Sequence, residues 1–416
     1  MDTAQRRLFL KSATAGLMLG STGLSGGHDA CGDDASTAGA AAPTETGNTK
    51  RRVAVIGHTG RGDYGHGLDT VWQKIPSTTI VAVADANPAG LAKAQKKLSV
   101  AKGYTDFRKM LAEVQPEFVS VGPRHADQHH DMAMAAIQAG VKGIYIEKPF
   151  CRTPAEADSL VAACDQHGAK IAVAHRNRYH PALKHIEAII QSGDLGQIIE
   201  FRGRGKGDHR GGPEDLWVLG SHVLNLVQHF GGHPKSCSAR VFQDGRPVTA
   251  DDVKPGSEGL GSMAGNQVRA RFETEKGITA YYDSFANDGT AAKGFCLQMI
   301  GSKGVIMLHI DANPIAHFLP GNPFQRPNGD RPWIPITTAG LGKPETQRDV
   351  VAKVHDHILG VEDLIQACDD DRRPLCDARD GLTTVEMICA VFESHRQAGK
   401  EISFPLTQRG NAFDSL

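Results

Sequence analysis

The chain has 416 residues, 40% of them hydrophobic and 22% charged, with a formal net charge of −1. That length exceeds one typical domain and that apolar fraction is enough for two cores, while balanced charge without a long basic block excludes an electrostatic footprint for nucleic acid. No run of about 20 uninterrupted apolar residues occurs, so no membrane span is implied.

Taken in chain order, the first segment is Arg6-Arg7-Leu8-Phe9-Leu10-Lys11 followed by a mild apolar run, Ala13 to Leu24. It resembles a twin-arginine export signal, which implies a periplasmic or extracytoplasmic destination. Residues 25–50 are Gly, Ala, Ser, Thr and Asp without periodicity, hence a linker. Cys31 has no convincing lipobox before it, so no lipid anchor is expected. The expected divisions are 1–50 for signal and linker, 51–173 for a first domain and 174–416 for a second.

The first domain opens with an apolar strand, Val53 to Ile56, that ends in Gly57 and is followed by glycines at 60, 62 and 65. A strand running into a glycine turn and a helix start is a dinucleotide phosphate cradle, because bare backbone approaches the pyrophosphate closely and unpaired N–H groups face it. The literal GxGxxG falls at Gly60, Gly62 and Gly65, but the register that begins at the strand end is Gly57, Thr59, Gly62, with Gly60 and Arg61 between. A crossover helix fits Leu68 to Lys74, and a second strand, Ile80 to Val83, ends at Ala84-Asp85. Asp85 lies about twenty residues beyond the loop, where a carboxylate accepts from both adenosine ribose hydroxyls. This favours NAD over NADP, although Arg61 offsets part of the repulsion toward a 2′-phosphate. Helices are expected at 88–98 and 105–113, then a strand, Phe118 to Val121, that stops at Gly122-Pro123. Pro123, His125 and His129 sit in the loop before an Ala- and Met-rich helix, Asp131 to Ala139, and belong near the dinucleotide. The next strand, Ile144 to Ile146, closes on Glu147-Lys148-Pro149. The residue before proline is extended, so Lys148 leaves the strand end pointing into the crevice where such folds bind ligands.

The second domain follows a strand, Lys170 to Ala174. Arg176, Asn177, Arg178 and Tyr179 come next, suited to bind hydroxyls or a carboxylate, before a helix through Ile190. Gly212-Pro213-Glu214-Asp215 starts a helix that runs to about Phe230. On a 3.6-residue period Asp215, Val218, His222 and Asn225 share a stripe. Strand-like runs at 267–272, 278–283, 295–299 and 304–309 fit a largely antiparallel sheet. Residues 311–347 read as a long excursion covering the crevice, and 349–368 and 381–398 as packing helices. The 8 cysteines contain no CxxC pair, and the 19 histidines include no HExxH, so neither a disulfide framework nor a metal site is expected.

The glycine loop, the acid after the second strand, the Pro loop before a His-bearing helix and Glu147-Lys148-Pro149 together resemble the Gfo/Idh/MocA family over about residues 50–405. The resemblance implies an α/β chain: a Rossmann doubly wound parallel sheet, then an α/β domain with an open, largely antiparallel sheet that commonly forms a dimer or tetramer. It implies bound NAD or NADP, a sugar, polyol or related hydroxy compound as substrate, and hydride transfer with Lys148 and His222 moving the hydroxyl proton. Family relatives often carry an aspartate on either side of that histidine, where this chain has Val218 and Asn225. Asp215 is the carboxylate expected to replace the missing one. Two other outcomes fit the same scaffold: a glycoside hydrolase or lyase working through transient oxidation, and a non-catalytic NAD-dependent sensor. Export by the twin-arginine route suits a protein that takes up its nicotinamide cofactor before leaving the cytoplasm.

Overall fold

Val53 to Ile56 are all buried, as a parallel strand covered on both faces requires. In the computed structural model, which describes residues 50–291 and 293–416, they belong to strand β1 (Arg51–Gly57). The twin-arginine segment, the linker and Cys31 lie outside the described residues. With β2 (Thr78–Asp85), β3 (Gly103–Tyr104), β4 (Phe118–Val121), β5 (Gly143–Ile146) and β6 (Lys170–Val173), β1 forms a parallel sheet in the order β3-β2-β1-β4-β5-β6. The order reverses between β1 and β4, so Gly57, Asp85, Gly122 and Glu147 all emerge at the edge where such sheets bind ligands.

The crossover from β1 to β2 differs from expectation. Instead of a helix over Leu68 to Lys74 there is a series of turns and a single 3-10 turn, Val71–Lys74. The reason is in the backbone: Gly60, Gly62, Gly65 and Gly67 all have φ between 61° and 89°, and Asp63 has φ 49°. An α-helix needs φ near −63°, so none can start at the glycine loop before Leu68, and Pro76 follows shortly after; the helix-dipole part of the expected phosphate cradle is absent. The loop is held by its own bonds, His58 N and Asp63 N donating across the turn.

The other helices follow their capping residues. Asn87 accepts from Gly90 N and Pro88 takes the first position of α1 (Pro88–Leu98). Asp106 caps α2 (Phe107–Val114), and α3 spans His129–Gln138, starting two residues before the expected Asp131. A helix not anticipated, α4 (Pro154–His167), is capped by the Thr153 hydroxyl and ends at left-handed Gly168.

The second sheet has 11 strands and is antiparallel except where β7 (Ile198–Arg204) pairs with Thr279–Phe285. The excursion after 311 does not simply cover the crevice: Ala316–Pro320, Ile334–Thr337 and Gly340–Leu341 extend this sheet. The helix expected at 349–368 is two helices, Arg348–His355 and Ile358–Asp369, broken at His357, whose backbone is left-handed at φ 63°. The segment from Pro213 to Gly231 is helical as expected, but Leu216–Gly220 is a π turn. Ala378–Arg396, almost wholly buried, packs against α4, Ser221–Gly231 and the strand Pro234–Gln243, joining the two sheets.

The seven cysteines of the described residues are unbonded. Among those residues no helix is long and apolar enough to cross a membrane.

Candidate active site

Two cavities open along the carboxyl edge of the parallel sheet. The larger, about 330 Å³, is lined by Gly57, His58, Arg61, Asp85, Thr105, Asp106, Phe107, Asp127, Gln128 and Asp131, among others. The smaller, about 60 Å³, is lined by Lys148, His222, Glu147, His66, Arg176, Asp311 and His357, with Ala174 and Leu219. The segment Gly62 to His66 runs between them. Arg124 N donates to the Gly62 carbonyl at 3.1 Å, a Cβ on Gly65 would lie 2.5 Å from the Gly122 oxygen, and His66 Nδ1 bonds Glu147.

In the larger cleft, Asp85 is held by four groups: Thr59 N at 3.0 Å, the Thr59 hydroxyl at 2.6 Å, the Tyr64 hydroxyl at 2.9 Å and Asn87 N at 2.9 Å. Burial pushes its carboxyl up, but the Thr59, Asn87 and Tyr64 hydrogen bonds outweigh it and hold Asp85 below the usual carboxylate range. Thr59 therefore fills the second-glycine position by fastening the loop to Asp85. Arg61 pairs with Asp127, which leaves four aspartates and one already-paired arginine on this lining. The cleft suits an adenosine ribose: it lies at the switch point, and the acid after β2 faces it. Thr105, Asp106 and Phe107 were not among the expected residues, although the rule that ligands sit beyond strand ends points to them, since they follow β3 directly.

Some expected cofactor residues do other work. Gly60 N donates to the Asp63 side chain, and Gly62 packs so closely on Arg124 that a Cβ would collide with its backbone. His129 is fully buried and lines neither cavity: its Nε2 lies 2.6 Å from the Pro123 carbonyl and its Nδ1 2.8 Å from that of Pro149, tying together the turns after β4 and β5. His125 lies at this junction with a buried, unpartnered Nδ1.

In the smaller cavity, Glu147 accepts from His66 and, at 2.6 Å, from Lys148 N. Burial alone raises its carboxyl, yet the His66 hydrogen bond and the Lys148 charge hold it well below the usual range. Lys148 Nζ donates to the Val218 carbonyl at 2.9 Å. That carbonyl lies inside the π turn, where the i→i+4 pattern is broken, so the backbone of Val218 holds the lysine although its side chain cannot. His222 stands edge-on to His175, ring centroids 5.1 Å apart, with Nδ1 buried and unpartnered. Burial first, then the His175 and Lys148 charges, drive His222 well below 6.5, and burial with Lys148 takes His175 to about 3. Both imidazoles are neutral at physiological pH, and His222 is an acceptor for a proton. A buried polar nitrogen without a partner costs about 1–3 kcal/mol, a strain more at home in a binding site than in a core.

Asp215 does not join this group. Its carboxylate, fully buried, accepts from Ser284 at 2.5 Å, Tyr282 at 3.2 Å and Lys206 N, and burial raises its pKa. The π turn between Asp215 and His222 is the cause: a widened turn rotates everything before it relative to everything after, so the 3.6-residue stripe does not continue across it. Of the expected substrate residues, Arg176 lines the cavity and pairs with Asp311, Nε to Oδ1 2.9 Å. Asn177 reaches the His309 carbonyl, and the Tyr179 hydroxyl bonds the Val173 carbonyl. Arg178 bonds Asn225 at 3.1 Å, and Asn225 donates to Thr384. None of these four lines the Lys148 cavity. Asp311 and His357, by contrast, were not expected, and no local spacing announces them because they arrive from distant parts of the chain.

Residues 51–175 match the family described as "Oxidoreductase family, NAD-binding Rossmann fold" and residues 171–403 its "C-terminal alpha/beta domain". A D-apiose dehydrogenase of Paraburkholderia graminis is 26% identical over 332 residues, 78% of this chain and 83% of that protein. The NADP-dependent scyllo-inositol 2-dehydrogenase of Bacillus subtilis is 32% identical over 127 residues, covering 27% and 35% of the two chains. Among solved structures, a levoglucosan dehydrogenase in complex with NADH and levoglucosan superposes with a TM-score of 0.68 at 18% identity, over 86% of this chain and 99% of that one.

Proposed function

The chain belongs to the Gfo/Idh/MocA oxidoreductase family, and from that premise we propose that it oxidises a hydroxyl of a sugar or polyol, with NAD preferred to NADP. It is an NAD(P)-dependent dehydrogenase by family. The observation that carries the substrate reading is the smaller cavity, in which seven of nine lining residues are ionisable and Lys148 stands with a neutral His222. Hydroxyl groups both donate and accept, and such a wall meets them with both. When bound, the nicotinamide supplies the hydride acceptor. Lys148 and His222 then do the chain's share: the lysine, anchored on the Val218 carbonyl, orients the substrate oxygen, and His222 accepts its proton.

The preference for NAD is supported by the four aspartates of the larger cleft and by the pairing of Arg61 with Asp127. Together they leave no unpaired arginine or lysine on this lining to neutralise a 2′-phosphate. Lys148→Met is expected to keep the bound nucleotide and to lower turnover of levoglucosan, D-apiose or myo-inositol at least 10³-fold, a loss of about 4 kcal/mol of transition-state stabilisation. Full activity in that variant sinks the role.

Export by the twin-arginine route remains part of the proposal, supported by Arg6-Arg7 and the apolar run after them; replacing both arginines by lysine should retain the protein in the cytoplasm. A homo-oligomer through the second sheet is supported by Ile199 and Tyr281, 43% and 37% exposed on adjacent strands; light scattering reads it directly.

A further inference from the structure

His357 is the least expected member of the lysine cavity. The residue is one of those lining the wall with Lys148 and His222, yet it comes from the break between two helices far along the chain. It is 3% exposed, and its backbone is held left-handed at φ 63° and ψ 6°, a conformation that asparagine or glycine ordinarily takes. A histidine kept there is kept for its ring.

Nδ1 of that ring lies 2.9 Å from the hydroxyl of Tyr145, which is fully buried. Burial pushes the Tyr145 phenol far above its ordinary range, so its proton stays on, and among the described residues the hydroxyl has no other acceptor. Burial, opposed by Glu147 and aided by Arg176, takes His357 down to about 4, so the ring is neutral. A neutral ring that accepts at Nδ1 carries its single proton at Nε2. Nε2 is buried without a partner, on the edge of the ring away from Tyr145. If His357 served only to satisfy Tyr145, that second nitrogen would be expected against a carbonyl, as both nitrogens of His129 are.

We propose that His357 contacts the substrate, donating its Nε2–H to a hydroxyl oxygen of the polyol that Lys148 and His222 address, with Tyr145 setting the tautomer. The assignment rests on the dehydrogenase reading above and adds a donor that fixes which way round the polyol sits.

Kinetics on the full chain test it, with levoglucosan, D-apiose and myo-inositol as probes and NAD as cofactor. His357→Ala is expected to raise KM for whichever probe is oxidised at least tenfold, with a smaller fall in kcat and an unchanged KM for NAD. His357→Gln can bring an amide N–H to the place of Nε2, so it should recover much of that loss. Tyr145→Phe frees both tautomers and should fall between wild type and His357→Ala. An unchanged polyol KM in His357→Ala, or equal losses in the Ala and Gln variants, overturns the proposal.

Should the wild-type chain oxidise none of the probes, the dehydrogenase reading has failed by itself. Nitrogen-15 NMR of His357 in the wild-type chain then decides the inference, as it also does if His357→Ala does not fold. An Nε2–H tautomer whose resonance moves on adding glycerol supports the contact. An Nδ1–H tautomer, or a resonance that glycerol leaves in place, refutes it.

Discussion

In the proposed reaction, a proton leaving a substrate hydroxyl in the smaller cavity meets an imidazole that burial and nearby charge keep neutral. Because His222 lies well below 6.5, it stays a base as the solution is acidified. The acid limb of the kcat/KM profile is therefore expected below pH 6.5, not at it, and a limb centred at 6.5 or higher would remove His222 from the role. Asp215 gives the opposite kind of prediction. Its oxygens are spent on Ser284, Tyr282 and the Lys206 backbone, so Asp215→Asn should lower stability by about 1–3 kcal/mol and leave kcat within a few fold. A large kcat loss at unchanged melting temperature would restore Asp215 to the relay. At this scale, Lys148, His222 and Arg176 were legible because each sits at a strand end or on a helix with a local signature. Asp311 and His357 were not, since only the folded chain brings them to Lys148.

Two elements carry departures from regular geometry, and each has a mutational signature. In the glycine loop, Gly60 and Gly62 have nearly the same backbone, φ 83° and 87°, but a Cβ on Gly60 meets nothing within 4 Å while one on Gly62 collides with the Arg124 backbone. Gly60→Ala should cost about 1 kcal/mol from the left-handed strain alone, and Gly62→Ala several times that; chemical denaturation of the two variants compares them directly. In the π turn, the Val218 carbonyl is available to Lys148 because the α pattern is interrupted. Sequence periodicity found this helix and both its ends. It missed the turn inside it because π and α segments draw on the same residues, and Leu216, Trp217 and Val218 carry no local mark of the difference. The crossover helix expected over Leu68 to Lys74 rests on the strand–turn–strand context alone, and that context does not announce the left-handed backbone that runs up to Gly67.

For the molecule as a whole, several histidines are stored neutral in the interior. Burial takes His175 and His229 to about 3 and His180 and His357 to about 4, all below the ordinary 6.5. In that interval the unfolded chain binds protons that the folded chain refuses, so stability is fully present above about pH 6.5 and falls as pH drops toward 4. Each group contributes on the order of 1.4 kcal/mol per pH unit at most. Urea midpoints at pH 7, 5.5 and 4.5 should fall steeply, and His175→Phe should flatten the slope. A flat profile in the wild type would mean that these rings are not neutral as placed. The architecture was the most legible level, because buried parallel strands and alternating antiparallel ones leave different hydrophobic patterns.

The turn from Gly62 to His66 separates the two cavities and is fastened on both sides, by Arg124 N on the Gly62 carbonyl and by His66 on Glu147. A disturbance at either fastening therefore reaches both chambers, so loosening this one short stretch should weaken the hold on nucleotide and on polyol together.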